Sequence, residues 1–444
     1  MSFPRYPKYK DSGVEWLGEV PEHWKISRLS DVCKFCSGKA HEQFIDEEGE
    51  FICVNSRFVS TEGESKKFCS VNFSPAKKND ILMVMSDLPN GRALAKAFFV
   101  SDEKSYAVNQ RVCILTADKD SPRYLFYLLN RNPLFLLHDD GVNQTHLSNA
   151  VFTKFPTHLP PLPEQTRIAA FLGRETAKID GLVAEQQRLI DLLKEKRQAV
   201  ISHAVTKGLN PAAPMKPSGI EWLGDVPAHW GVKKVKHLTR SIEQGWSPQC
   251  DGFPAEFETE WGVLKVGCVN GGTFNPSENK SLPAELEPIP SLSISMGDLL
   301  ISRANTRDLV GSAAVAERNY PRLMLCDKLY RIQIDLESCT PEFLSRYIGS
   351  TLARGQIELD ATGASASMVN IGQSVILELP MATPPVKEQR DIVRFLVRAL
   401  DELDTLTAEA QRAIDLLHER RTALISAAVT GQIDVRHFTE AGAA

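Results

Sequence analysis

Two long stretches constrain the fold of this chain more than any other feature. "EQTRIAAFLGRETAKIDGLVAEQQRLIDLLKEKRQAVISHAVT", from Glu164, and "EQRDIVRFLVRALDELDTLTAEAQRAIDLLHERRTALISAAVT", from Glu388, align without a gap and agree at more than half of their positions. Each follows a proline pair, Pro160-Pro161 and Pro384-Pro385, and proline suits the turn from which a helix starts. Neither stretch contains an internal proline, and Gly431 marks the expected end of the second. Apolar residues recur at the three-and-four spacing of a heptad seam. In the first these are Ile168, Leu172, Ile179, Leu182, Leu189, Leu193 and Val200; in the second, Ile392, Leu396, Leu403, Leu406, Leu417 and Leu424. At about 1.5 Å per residue, each helix would be roughly 65 Å long, and the two stripes bury most readily against each other.

A second duplication frames the first. "GVEWLGEVPEHW" (13–24) returns as "GIEWLGDVPAHW" (219–230), so the order phrase, globular segment, helix runs through the chain twice. This predicts an α+β protein with two mixed α/β globular domains and a pair of long antiparallel helices forming a coiled coil, in a pseudo-twofold internal repeat. The expected boundaries are 1–24 for an N-terminal collar, 25–158 for the first domain and 159–207 for the first helix. A linker with the second collar covers 208–230, the second domain 231–382, the second helix 383–431 and a tail 432–444. "DILMVM" (80–85) and "DLLISR" (298–303) read as equivalent strands, and "SPRYLFYLLN" (121–130) and "TPEFLSRYIG" (340–349) as equivalent capped helices. Elsewhere the two domains share little sequence.

Reach argues for the antiparallel pair. The linker "GLNPAAPMKPS" spans at most about 36–40 Å, roughly the width of one domain. A parallel pair would return the second domain along the whole helix to where the first already sits. Lys194, Lys196 and Arg197 would then face Asp401, Glu402 and Asp404. Each collar joins a helix C-terminus to the start of a domain, which makes Trp16, Trp24, Trp222 and Trp230 structural anchors.

Composition narrows the chemistry. The 444 residues carry a net charge of −5, without the basic excess that advertises many nucleic-acid binders. No apolar run approaches the roughly 18–20 residues of a membrane span, and "MSFPRYPKYK" does not read as a secretion signal. The nine cysteines are an odd number and scattered, which reads as reduced thiols in a cytoplasm. Cys33 and Cys36 in "CKFC" have half the spacing of a zinc site, with no second half to complete it. "NPLF" (132–135) resembles the NPPY or NPPF tetrapeptide of adenine methyltransferases, but Leu134 replaces a proline and no glycine-rich turn lies upstream; it reads as a helix stop. No P-loop pattern exists. His138 and His146 near Asp139 and Asp140 read as a charged loop.

The phrase "EWLGxVPxHW" written twice, "PPLPEQ" and "PPVKEQ" opening the helices, and "LLKEKRQAVISHAVTKGL" closing the first together resemble the specificity subunit of a type I restriction-modification system, over nearly the full length. The second helix departs slightly, closing on "LLHERRTALISAAVTGQI". The resemblance implies a non-catalytic subunit whose two target-recognition domains, set apart by a helical ruler, read a bipartite, asymmetric duplex-DNA target. It implies partners: two modification (methyltransferase) subunits and restriction (translocase and nuclease) subunits. S-adenosylmethionine, ATP and Mg are expected on those partners, with no cofactor or metal in this chain. Phosphates call for exposed Lys and Arg, and base edges for Arg, Lys, Asn or Gln. The expected DNA-binding residues are Arg57, Lys66, Lys67, Lys77, Lys78, Arg92, Asn143 and Gln144 in the first domain. In the second they are Arg303, Asn305, Arg307, Arg318, Arg322, Lys328, Ser365 and Ser367. The acidic balance predicts weak DNA binding by the chain alone. Two alternatives remain: a coiled-coil adaptor without DNA readout, and a stand-alone adenine methyltransferase built around "NPLF".

Overall fold

The computed structural model describes residues 3–14, 17–87, 93–137, 145–256, 258–365 and 368–438. The chain divides into two compact units, one made of Met1–Gln186 with Arg412–Ala444, the other of Gln187–Gln411. Both long helices form, as Leu162–Lys207 and Val386–Val429, and each unit takes half of each helix.

In the first unit a four-stranded antiparallel sheet runs in the order Ala97–Phe99, Ile81–Val84, Val112–Ala117, Cys33–Ser37. A second sheet has the order Phe68–Cys69, Phe51–Val54, Tyr106–Val108, Pro75–Ala76, and its two central strands are parallel. The strand predicted from "DILMVM" is buried on both faces, which is why it reads as an unbroken apolar run. Ser121 caps the short helix Pro122–Leu129 by accepting from the Tyr124 amide. Asn132 then ends that helix and starts the next: its Nδ2 donates to the Leu128 carbonyl (3.0 Å) and its Oδ1 accepts from the Leu134 amide (3.1 Å). Phe135 is wholly buried, so "NPLF" is a helix junction packed into the core.

The second unit repeats the plan with different residues. Its first sheet has the order Ala313–Val315, Leu299–Ser302, Leu329–Ile334, Thr239–Gln244. Its second has Asn279–Ser281, Gly262–Leu264, Tyr320–Met324, Ser293–Ile294, again with a central parallel pair. Thr340 caps Pro341–Ile348 through the Phe343 amide. The two domains therefore share their sheet topology where their sequences share little. Strand order depends on which positions are buried, and many apolar side chains satisfy that.

Within each unit the helix halves run antiparallel. In the first, Ile168 and Leu172 share a core with Ala428 and Val429, and Asp180 accepts from Arg421 at 2.9 Å. In the second, Leu193 and Ile201 pack with Ile392, Leu396 and Leu403, and Arg197 pairs with Asp404. Lys194 instead turns to Asp191 of its own helix, 3.3 Å away.

Of the expected seam, Ile168, Leu172, Ile179, Leu193, Ile392, Leu396 and Leu403 are buried, but Leu182, Leu189 and Leu406 are 48%, 41% and 47% exposed, and Thr176, Ile190 and Ala410 are buried instead. The helices carry two adjacent apolar stripes, and the one a residue away from those leucines is buried. The pleat keeps the two "CKFC" thiols from sharing one metal: three residues apart on one strand, Cys33 is buried and Cys36 exposed. Burial pushes the Cys33 thiol up to about 12.

Candidate functional site

The collars are built by the first two residues of each helical repeat, the Glu-Gln pair. In the first unit, buried Glu164 accepts from Tyr6 Oη (2.8 Å) and Trp24 Nε1 (3.0 Å) on one oxygen, while His23 Nε2 lies 2.8 Å from the other. Gln165 accepts from the Ser121 amide (2.8 Å) and donates to Asp120 and the Pro160 carbonyl. It thereby ties the helix start to the cap of the short helix. Gln389 repeats this, accepting from the Thr340 amide (2.8 Å) and donating to the Ser338 and Pro384 carbonyls. Glu388 meets His229 at 2.8 Å. The only signal for these residues in the sequence was the repeated "EQ" itself.

The tryptophans sit inside these collars. Trp24 and Trp230 are 0% and 1% exposed, Trp222 is half-buried, and Trp16 lies outside the described residues. Trp24 stacks on His158 (6.0 Å, 5° between planes), and burial lowers that imidazole to about 4, so it is neutral at ordinary pH. The glycine after each long helix makes the close approach. Gly431 (φ +74°) lies so near Pro21 that a Cβ would come within 2.4 Å of it, and Gly208 (φ +76°) packs on Trp230 and Pro227. Tyr9 Oη donates to the Gly431 carbonyl (3.0 Å), so the N-terminal collar reaches the end of the second helix through space. The second phrase follows the end of the first helix along the chain.

The expected DNA-contacting residues that the structure describes form one group in the first unit and two in the second. Arg57, Lys66, Lys67, Lys77 and Lys78 are exposed around the second sheet of the first unit. Lys77, Lys78 and Lys104 line a hollow of about 680 Å³ there, and Lys78 pairs with Glu103 at 3.1 Å. Arg92, Asn143 and Gln144 lie outside the described residues, as do His138, Asp139 and Asp140. The neighbouring strands Ser86–Asp87 and Thr145–His146 pair with each other.

In the second unit, Arg318 and Arg322 flank the same second sheet and both engage Glu258, Arg318 at 3.9 Å through its carboxylate and Arg322 through its carbonyl. The other group gathers at a small three-stranded sheet, Ala304–Asn305, Met368–Asn370 and Thr362–Ser365. The Arg303 amide donates to the Lys328 carbonyl (2.9 Å), and its own carbonyl accepts from the Ile371 amide (2.9 Å). Arg303 is half-buried, with Nη1 3.3 Å from the Asp327 carbonyl and Nε without a partner among the described residues. Lys328 is exposed. Arg307 is exposed and donates to the Glu358 carbonyl (3.1 Å). Asn305 departs from the free amide expected for base contact: it is 9% exposed, donates to Asn270 (3.3 Å) and accepts from the Thr306 amide (2.9 Å). Ser365 lies on the hairpin strand; its side chain, and all of Ser367, lie outside the described residues. Among the described residues, no group of three or more His, Cys, Asp or Glu side chains is placed to hold a metal, and no helix is long and apolar enough to cross a membrane.

The family model for the type I restriction modification DNA specificity domain matches residues 21–189. The type I restriction enzyme EcoEI specificity subunit of Escherichia coli is 26% identical over 224 residues, covering 50% of this chain and 38% of that protein. The MjaVIII specificity subunit of Methanocaldococcus jannaschii is 23% identical over 431 residues, covering 94% of this chain and 95% of its own length. The chain thus spans well under half of the first relative and nearly all of the second. A solved chain from work on complex assembly and conformational transition of the type I R-M system superposes with a TM-score of 0.65 at 16% identity, covering 92% of this chain and 98% of its own. That likeness concerns the fold. With the duplicated collars and helices, these matches make the chain similar to the type I restriction-modification specificity subunits.

Proposed function

We propose that this chain is the non-catalytic sequence-specificity subunit of a type I restriction-modification complex and reads a bipartite, asymmetric duplex-DNA target. The observation that carries the reading is one sheet topology built twice on near-identical collars and helices, with unlike side chains on the two domains. A framework that repeats while its surfaces diverge suits two unlike half-sites at a set spacing. Residues 25–158 and 231–382 are the two recognition domains, and the helices set the gap between half-sites.

In the second domain, Arg303 and Lys328 beside the small sheet are candidates for base contact: Lys328 is exposed, and the half-buried Arg303 holds its Nη1 by a long bond of 3.3 Å. Arg318 and Arg322, already engaged by Glu258, suit phosphate contact. The small strand pair Ser86–Asp87 with Thr145–His146 in the first domain is its counterpart, and Arg92, Asn143 and Gln144, close to these strands in sequence, stay candidates for contact. Methyl transfer and cleavage belong to modification and restriction subunits, which would hold S-adenosylmethionine, ATP and Mg.

The deciding experiment is a long-read methylome of cells carrying active partner subunits, with and without this gene. Adenine methylation at one bipartite motif is expected to vanish on deletion while every other motif is unchanged. An unchanged methylome in such cells would overturn the reading in favour of an adaptor without DNA readout.

A further inference from the structure

In the second domain, residues 306–311 form the turn between the strands Ala304–Asn305 and Ala313–Val315, and 306–308 are its exposed tip. Arg307, one of the candidate contact residues, stands on that tip. Surface turns are the mobile part of a fold, yet a reading side chain must be held to within about 0.5 Å of its working place. What holds this turn therefore bears on what it can read.

Part of the holding is local. The Val310 amide donates to the Thr306 carbonyl and the Gly311 amide to the Ser302 carbonyl, both at 2.8 Å, and Ser302 Oγ donates to the Leu309 carbonyl at 2.9 Å. The rest comes from one side chain of the neighbouring helix, Thr351–Leu359. Arg354, 15% exposed, donates through Nη1 to the Val310 carbonyl and through Nη2 to the Asp308 carbonyl (2.8 Å). Nη2 also meets the Glu358 carboxylate at 3.0 Å, one turn along the helix. Arg307 closes the link from the other side, its Nη1 donating to the Glu358 carbonyl (3.1 Å). Helix and turn lie so close that a Cβ at Gly311 would come within 2.7 Å of Ile357. A guanidinium carries its donors in a rigid planar fork, so the two carbonyls it binds are fixed in distance and direction together.

The helix is itself seated. Ser350 caps it by accepting from the Ala353 amide, and the Thr351 amide donates to Ser202 Oγ of the first long helix at 2.9 Å. One short helix thus ties the turn to the helix that, in the reading above, sets the gap between half-sites. The first domain is built otherwise. Counted from the capping residues Ser121 and Thr340, Phe135 holds the place of Arg354, wholly buried in the four-residue helix Pro133–Leu136.

We propose that Arg354 is a positioning residue for DNA reading by the second domain: it touches no base, but by gripping the carbonyls of Asp308 and Val310 it sets where Arg307 and the adjoining small sheet meet the duplex. The inference rests on the DNA reading above and goes beyond it in assigning half-site discrimination to a side chain turned away from the target.

The test is the long-read methylome of cells with active partner subunits, with the chain expressed low enough that methylation stays incomplete. Arg354→Met keeps the bulk and removes the donors, while Arg354→Lys keeps the charge without the fork. The half-site read by the second domain is assigned beforehand by exchanging residues 231–382 for another recognition domain. For Arg354→Met, the ratio of methylation at the intact motif to that at single-base variants of this half should fall about tenfold. For Arg354→Lys it should fall about threefold, and in both the ratio for the other half should stay unchanged. A misfolded fraction lowers methylation at every site alike and moves neither ratio, so a merely structural role does not imitate this result. Should Arg354→Met abolish methylation, the lysine variant decides by the same ratio. Unchanged ratios, equal relaxation of both halves, or loss of all methylation in both variants would overturn the inference and leave the DNA reading standing. A wild-type chain that directs methylation to no bipartite motif would overturn the DNA reading, and the inference with it.

Discussion

Among the described residues, three donors converge around Trp24 on the carboxylate of Glu164, whereas around Trp230 a single histidine reaches Glu388. The indole N–H of Trp24 is bonded; that of Trp230 is buried without a hydrogen-bond partner among the described residues. The phrases are nearly identical, so the difference comes from what joins them. In the first unit the N-terminal residues bring Tyr6 to Glu164, and the segment after the second helix brings Asp434 to the Pro4 carbonyl at 2.7 Å. In the second, a continuous linker does the joining and supplies no such hydroxyl. Nearly the same twelve residues thus make a tightly bonded collar where two remote segments must be held together, and a looser one where the covalent chain already holds them.

The two domains differ in the opposite sense, with one topology and unlike surfaces, and exchanging them gives the largest expected effect. Replacing residues 25–158 by another recognition domain should change one half of the methylated motif completely and leave the other half intact. Sequencing the methylome reads this directly, and a change in both halves would contradict independent reading.

Next come the helix-ending glycines. A Cβ at 431 would lie 2.4 Å from Pro21, against 3.2 Å from Trp230 for one at 208, and both residues have positive φ. Gly431→Val should therefore cost about 4 kcal/mol and Gly208→Val about 2, from left-handed strain plus overpacking. Urea unfolding of the two variants ranks them, and equal costs would mean that the collars are equally tight.

The carboxylates should separate less widely. Glu164→Ala strands buried Tyr6 and Trp24 donors and is expected to lose about 3 kcal/mol, whereas Glu388→Ala, with a side chain 31% exposed, should lose about 1. Smallest is the indole comparison. Trp24→Phe forfeits one hydrogen bond and should cost about 1 kcal/mol more than Trp230→Phe, which forfeits none. Thermal midpoints of both variants measure the difference, and a larger loss at Trp230 would refute the account of the collars.

Much of this was legible from the chain alone. The repeat, the two long helices, the capped helices at Ser121 and Thr340, and the strands at 80–85 and 298–303 follow from local pattern. Each rests on a signal confined to a few neighbouring residues. The middle of the buried seam did not follow, because Leu182, Leu189 and Leu406 match a heptad as well as Thr176, Ile190 and Ala410 do. A helix has no preferred inward face until another surface selects it. Asn305 shows the same limit at the candidate site: an asparagine beside two arginines reads as free, and only the approach of Asn270 from a distant loop engages it.

What the sequence determined by itself was the plan: one collar phrase and one helix, each written twice around two dissimilar domains, since duplication and helical periodicity are properties of the string. Tertiary structure decided which apolar stripe is buried and which carboxylate collects its donors. It also decided which cations are tied to their own protein, and it made one topology out of two dissimilar sequences. Those outcomes depend on groups far apart in the chain meeting in space, and the cost or gain of burying each group exists only once its neighbours are in place.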